Sequence, residues 1–293
     1  MREDCVHAVP SGSELVDDGD TMAVVLNGQV VAKHPHCLGT TKTPVMAAAL
    51  AGDKASGSLR GPPSLQRGLQ LPPDYDGWIE YTAANVSDTY DAFLGFFSVP
   101  NTPPNQPDIL YLFTGVQNIN WIPKVDPMPS QPFDILQPVL QYPADDRSDS
   151  WSIKSWYVTV NSGAYFSTEI KVQPGDNIFG NMTRLGPEQW LVNSVSSETG
   201  QQTLIKPSHP RLAKQPWAYN TLECYGCQDC STYPSNPTYF THLALTCGGK
   251  PCPPSWRANP DMDPVKKCHE GLSIQDPATV TITFGAGSSS SDE

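Results

Sequence analysis

The chain has 293 residues, room for one large domain or a medium one with an appendage, and its 38% apolar share with 7 Trp and 11 Tyr suffices for a core. Only 16% of residues are charged and 30 are proline, which disfavours a helical protein, because helix faces are built from Ala, Leu, Glu and Lys. A formal net charge of −12 repels phosphate backbones and argues against nucleic-acid binding, and no stretch approaches the roughly 18 apolar residues of a membrane span.

Residues 1–72 differ in texture from the rest. The start, MREDCVHAVPSGSELVDDGD, has no apolar h-region of a signal peptide. Met22–Val31 reads MAVVLNGQVV, two β-rich runs around Asn27-Gly28, the pair that a type I′ hairpin turn favours. After Cys37 a Gly-, Ser- and Pro-containing stretch reads as a linker or a cleavable join. Residues 1–72 are thus expected as an N-terminal extension, either a pro-segment or a structural arm.

From Leu71 onward the pattern is all β. Strands are expected over Trp78–Ala83, Ala92–Ser98, Ile109–Phe113, Ile135–Leu140, Ser152–Val160, Tyr165–Val172, Asn177–Arg184, Gln189–Ser196, Gln202–Ile205, Ala218–Glu223, Tyr239–Leu245 and Thr279–Phe284. Several alternate apolar with polar residues, and no helical period appears. Two packed antiparallel sheets over residues 73–284, a concanavalin-like β-sandwich, are the simplest architecture for such a chain. Residues 285–293, GAGSSSSDE, read as a disordered tail.

The eight cysteines are Cys5, Cys37, Cys224, Cys227, Cys230, Cys247, Cys252 and Cys268. The run Cys224-x-x-Cys227-x-x-Cys230 leaves metal binding open, but Cys247, Cys252 and Cys268 form no matching second knuckle. Disulfides are the better reading, with Cys5 paired to Cys37 and the six clustered cysteines bonded among themselves. Two acceptor sequons, at Asn85 and Asn181, agree with a secretory route and with N-linked glycans. The expected location is extracellular or the lumen of the secretory pathway. The acidic composition suits a protein that stays folded near about pH 3–5, where few bases leave little positive self-repulsion, and equally an ordinary extracellular protein.

No GxSxG elbow, HExxH helix, P-loop or dinucleotide fingerprint occurs. His34-x-His36 offers two metal ligands without a third at useful spacing. A series of blocks carries more: LFTGVQ (Leu112–Gln117), DILQ (Asp134–Gln137), SIKSWY (Ser152–Tyr157), FSTEIKVQPGDNI (Phe166–Ile178), SSETGQQTLI and YNTLECY (Tyr219–Tyr225). Their order over roughly residues 77–245 resembles the fungal glutamic peptidases, the eqolisin family; the plant neprosins share similar sandwich logic.

The resemblance implies a catalytic pair. Gln137 falls on the family's catalytic Gln and Glu223 on its catalytic Glu, with Phe113, Gln117, Trp156, Tyr157 and Tyr225 on cleft positions that meet substrate. A Glu facing a cleft can take a proton from water and deliver one to the leaving amine, and a Gln amide can donate to the developing oxyanion. The implied activity is an acid-acting endopeptidase on polypeptide substrates, without metal or cofactor. The sequence departs from the family at Phe113 (Trp there), Gln117 (Asp), Ser155 (an acidic residue) and Cys224 (Asp), so specificity does not carry over. The alternative is a non-catalytic extracellular sandwich, structural or glycan-binding.

Overall fold

The computed structural model describes residues 5–37, 77–122, 132–159, 163–227, 229–258, 268 and 270–284. The expected linker after Cys37 and the tail at 285–293 lie outside the described residues. Twenty strands are present: β1 (Val6–Val9), β2 (Ser13–Asp17), β3 (Thr21–Leu26), β4 (Gln29–Pro35), β5 (Gly77–Asn85), β6 (Ala92–Ser98), β7 (Ile109–Gln117), β8 (Asp134–Tyr142), β9 (Trp151–Thr159), β10 (Gly163–Ser167), β11 (Ile170–Val172), β12 (Asn177–Arg184), β13 (Trp190–Ser196), β14 (Gln202–Ser208), β15 (Trp217–Tyr225), β16 (Thr238–Cys247), β17 (Lys250–Pro251), β18 (Arg257–Ala258), β19 (Gly271–Asp276) and β20 (Thr279–Thr283). Helix among the described residues is limited to 3-10 conformation at Cys5, Pro210–Ala213 and Cys230–Thr232.

The strands form two large sheets. Sheet A runs β1-β10-β9-β8-β7-β15-β5-β18, with β11 on β9; sheet B runs β19-β20-β16-β6-β12-β13-β14-β2-β3-β4, with β17 on β16. Strands β8 and β9 pack on β12, β13 and β14, which closes the sandwich. Its interior takes alternate residues of each strand, among them Leu112, Leu136, Tyr157, Ile178 and Val192. Two hydrogen bonds stitch the sheets: Ser155 Oγ donates to Thr203 O (2.8 Å) and Ser194 Oγ to Lys154 O (2.8 Å), with the two hydroxyl oxygens 3.1 Å apart.

Glycine sets how closely the sheets approach. A Cβ on Gly180 would lie 2.8 Å from Pro138 Cγ and 3.1 Å from Phe97 Cε1. Any larger side chain at position 180 would push that sheet away from β8.

Each expected strand coincides with an observed one, but Tyr165–Val172 divides into β10 and β11, β13 begins one residue after the expected Gln189, β20 ends one residue before the expected Phe284, and Val160 lies outside the described residues. The hairpin at Asn27-Gly28 is present, with φ of 51° and 76° at the two turn residues. The four disulfides are Cys5–Cys37, Cys224–Cys227, Cys230–Cys268 and Cys247–Cys252.

Residues 5–37 are built into both sheets of the sandwich. β1 pairs in parallel with β10 at the edge of sheet A, and β2 pairs in parallel with β14 in sheet B. The short arm cannot satisfy its backbone groups alone, so it completes one ladder in each sheet. Cys5 precedes a strand of sheet A and Cys37 follows a strand of sheet B, so their disulfide closes a loop of chain that straddles the sandwich. Replacing both with serine is expected to lower stability by about 2–4 kcal/mol, the usual value of a disulfide closing a loop of this length. Guanidinium unfolding of the two chains checks this, and an unchanged midpoint contradicts it.

Candidate active site

The outer face of sheet A carries an apolar cluster separate from the sandwich interior. It includes Trp78, Tyr111, Phe113, Val139, Trp156, Tyr219 and Tyr225. By strand alternation Gln137, next to Leu136 of the interior, faces outward on β8, and Glu223, next to Leu222, faces outward on β15. Both are covered, at 1% and 2% exposure.

Register sets their spacing. Glu223 pairs with Tyr111 of β7, and Tyr111 with Gln141 of β8. Gln137 falls opposite Gly115, between the pairs Phe113–Val139 and Val116–Leu136, and Gly115 pairs with Tyr219. Gln137 and Glu223 are therefore not level. They stand two strands and two same-face rungs apart, with Phe113 between them. Sheet twist brings side chains together along one diagonal. Tyr111 and Trp156 are displaced by the same two strands and two rungs in the same sense, and their ring centroids are 6.3 Å apart.

Two residues shape the Gln137 end. Pro138 has no N–H, and the β7–β8 ladder is interrupted between Phe113–Val139 and Val116–Leu136. A Cβ on Gly115 would lie 3.6 Å from Gln137 Cγ, so glycine leaves room beside that amide.

Burial pushes the Glu223 carboxyl up to about 8, against hydrogen bonds from Tyr225 and Trp78 that lower it. The Tyr225 hydroxyl donates to Glu223 Oε1. Glu223 Oε2 is buried without a hydrogen-bond partner, as are Gln137 Oε1, Trp156 Nε1, Ser152 Oγ and Thr221 Oγ1 of the same face. Buried polar atoms are ordinarily satisfied, so this face holds hydrogen-bonding capacity that the fold does not use.

The remaining residues implied by the family resemblance divide. Phe113 lies at the centre of the face and Trp156 stacks on Phe166, centroids 4.6 Å apart. Tyr225 holds Glu223. Gln117 donates its Nε2 to Trp121 O at 2.9 Å and ties down the segment after β7. Tyr157 is corrected: it cannot share a face with its neighbour Trp156. It lies in the sandwich interior, where its hydroxyl donates to Asp134 Oδ1 at 2.7 Å, and Arg211 pairs with the same carboxylate. His34 and His36 have separate partners. His34 stacks on His7 at 3.8 Å, while His36 Nε2 meets Asp17 Oδ1 at 3.2 Å.

Sequence reasoning missed Lys154. It stands on β9 on the same outer face as Trp156, 1% exposed, and donates to Gln141 Oε1 at 3.0 Å and to Asp145. Burial lowers its pKa, and the Asp145 carboxylate opposes the shift. The signal was available in SIKSWY, since Lys154 and Trp156 are two apart in one strand.

No protein-family model matches the chain, and no curated protein matches it. Among solved structures, scytalido-glutamic peptidase bound to a transition state analog inhibitor is similar, with a TM-score of 0.50 and 15% identity over 71% of this chain and 98% of that one. SCP-B, an eqolisin-family peptidase in complex with the tripeptide Ala-Ile-His, gives 0.48 and 14% over 71% and 98%. Aspergilloglutamic peptidase from Aspergillus niger gives 0.41 and 16% over 60% and 98%. The likeness to the first is one of fold, and the resemblance read from the sequence blocks extends to the architecture.

The raised carboxyl has a stability signature. Folding moves Glu223 from 4.5 to about 8, so between these values the folded state holds a proton that the unfolded chain has released. Its contribution is fully present below about pH 4.5 and is lost as pH rises through about 8. Glu223→Gln, which cannot ionise, is expected to match the parent at pH 4 and to exceed it at pH 9 by a few kcal/mol. Urea unfolding at both pH values measures this; an equal difference at both contradicts it.

Proposed function

We propose that this chain is an acid-acting endopeptidase, with Glu223 as general acid and base and Gln137 as oxyanion donor. One observation carries the reading: a carboxyl that burial keeps protonated up to about pH 8, with one oxygen held by Tyr225 and the other without a partner, on the face that also bears Gln137. A peptide reaches it when the covered face opens and its backbone N–H and C=O groups take up the unused donors and acceptors.

Glu223 begins protonated. It gives its proton to the amide nitrogen while water adds to the carbonyl carbon, and the carboxylate so formed takes the surplus proton from that water. The Gln137 amide N–H donates to the carbonyl oxygen as negative charge develops there. The C–N bond breaks, acid and amine leave, and the carboxyl is restored. The aromatic rings around the pair exclude water and flank the extended substrate.

A denatured protein is the test substrate, digested by the full chain across pH 2–9. The parent cleaves in acid, and the rate falls as pH rises through about 8, where Glu223 ionises. Chelators and serine- or cysteine-directed reagents leave it unchanged. Gln137→Ala lowers the rate by about 10²–10³, the usual cost of an oxyanion donor. Glu223→Gln lowers it by about 10²–10⁴ or more, the worth of acid–base help. A parent inert at every pH leaves the non-catalytic sandwich; an active Glu223→Gln chain refutes the site.

A further inference from the structure

The outer face of sheet B presents a second feature that peptide hydrolysis does not use. Strand β12 alternates, with Ile178, Gly180 and Met182 buried inward and Phe179, Asn181 and Thr183 half-buried on the outside. Phe179 pairs across the ladder with Phe96 of β6, and their ring centroids are 5.1 Å apart. His242 meets the Phe96 ring edge-on at 5.8 Å. Two aromatic rings thus lie half-exposed on an outer face, directly beside the side chain of Asn181.

Asn181 heads the sequon Asn181-Met182-Thr183. The Thr183 hydroxyl donates to Asn181 Oδ1 at 2.6 Å, so the two polar groups of the sequon already meet on the folded strand. On the other side Asn181 pairs with Asn193, a buried residue whose Oδ1 has no hydrogen-bond partner. The second sequon, at Asn85, is on the exposed last residue of β5.

We propose that Asn181 carries an N-linked glycan whose first N-acetylglucosamine lies on the Phe179–Phe96 pair, so that the chain's own sugar covers this aromatic patch. The covalent step forms a bond from Asn181 Nδ2 to the anomeric carbon of a lipid-linked oligosaccharide pyrophosphate. The anomeric C–O bond of that donor breaks, the lipid pyrophosphate leaves, and the amide proton passes to base. A pyranose presents axial C–H bonds on one face, and an aromatic ring presents the negative face of its quadrupole, so the two stack. The acetamido and hydroxyl groups at the rim of the sugar turn toward Asn193. Attachment two residues from Phe179 on the same side of one strand holds the sugar over the ring, so little further ordering is needed.

The experiment uses the full chain secreted from a glycosylating eukaryotic cell. Peptide mapping by mass spectrometry is expected to find a hexosamine-cored glycan on Asn181. Asn181→Gln and Thr183→Val remove it through different atoms, and each lowers Tm by about 2–4 °C, the effect of one ordinary interaction in a domain of this size. With Phe179→Leu already present, the same substitutions lower Tm by less than half as much; Phe96→Leu serves as a second background. An unmodified Asn181 overturns the proposal, and so does a Tm loss that is the same with and without the aromatic ring.

Discussion

Burial of the Glu223 carboxyl constrains everything on the outer face of sheet A. Stripped of water, it stays protonated up to about pH 8, with the Tyr225 hydroxyl donating to Oε1. An ionised carboxylate there would be costly, so this face is built to be most stable in acid. The sequence's acidic composition points the same way through a different cause, since few bases leave little positive self-repulsion at low pH. Chemistry and stability are then linked by a single proton.

The same face solves a second burial differently. Lys154 is as covered as Glu223, yet it has carboxylates close by: it donates to Asp145, and Glu169 Oε2 is 3.9 Å away. Its Nζ lies over the Phe166 ring, 4.6 Å from the centroid. A paired cation and a lone carboxyl on one apolar surface give that surface two ends of different character, with Tyr111 between them: both Glu223 and Asp145 push its phenol well above the usual tyrosine range, behind burial as the main cause. Beneath this surface, Gly180 lets Pro138 approach β12, so the strand that bears Gln137 is seated by packing against the opposite sheet.

Much of the fold was legible because strand periodicity is local. Alternation in segments such as Ala92–Ser98 and Asn177–Arg184 places both ends of the strand, and Asn27-Gly28 marks its turn through backbone preferences alone. Number and clustering pointed to bonded cysteines and to Cys5–Cys37, whereas the pairing among the other six came only from the structure. What stayed hidden was pairing at a distance. VHAV of β1 and SELVD of β2 are short and weakly patterned, and their parallel partners, β10 and β14, lie far along the chain. A hairpin signal at Asn27-Gly28 says nothing about which sheet receives it. Of the candidate residues, Glu223, Gln137, Phe113, Trp156 and Tyr225 lie on one face of sheet A. Tyr157 does not, although the period of two sets it opposite Trp156. The two-rung offset between Gln137 and Glu223 depends on register among β8, β7 and β15, which no single segment encodes.

The most direct measurement is the ionisation of Glu223 itself. Infrared difference spectra of the ¹³C-glutamate-labelled chain, with Glu223→Gln as the blank, follow one carboxyl through its titration. The burial account predicts a protonated carboxyl band that persists through neutral pH and is replaced by carboxylate near pH 8. A band lost near 4.5, the ordinary value for glutamate, would contradict it, because the carboxyl would then be solvated and the outer face would not set its proton.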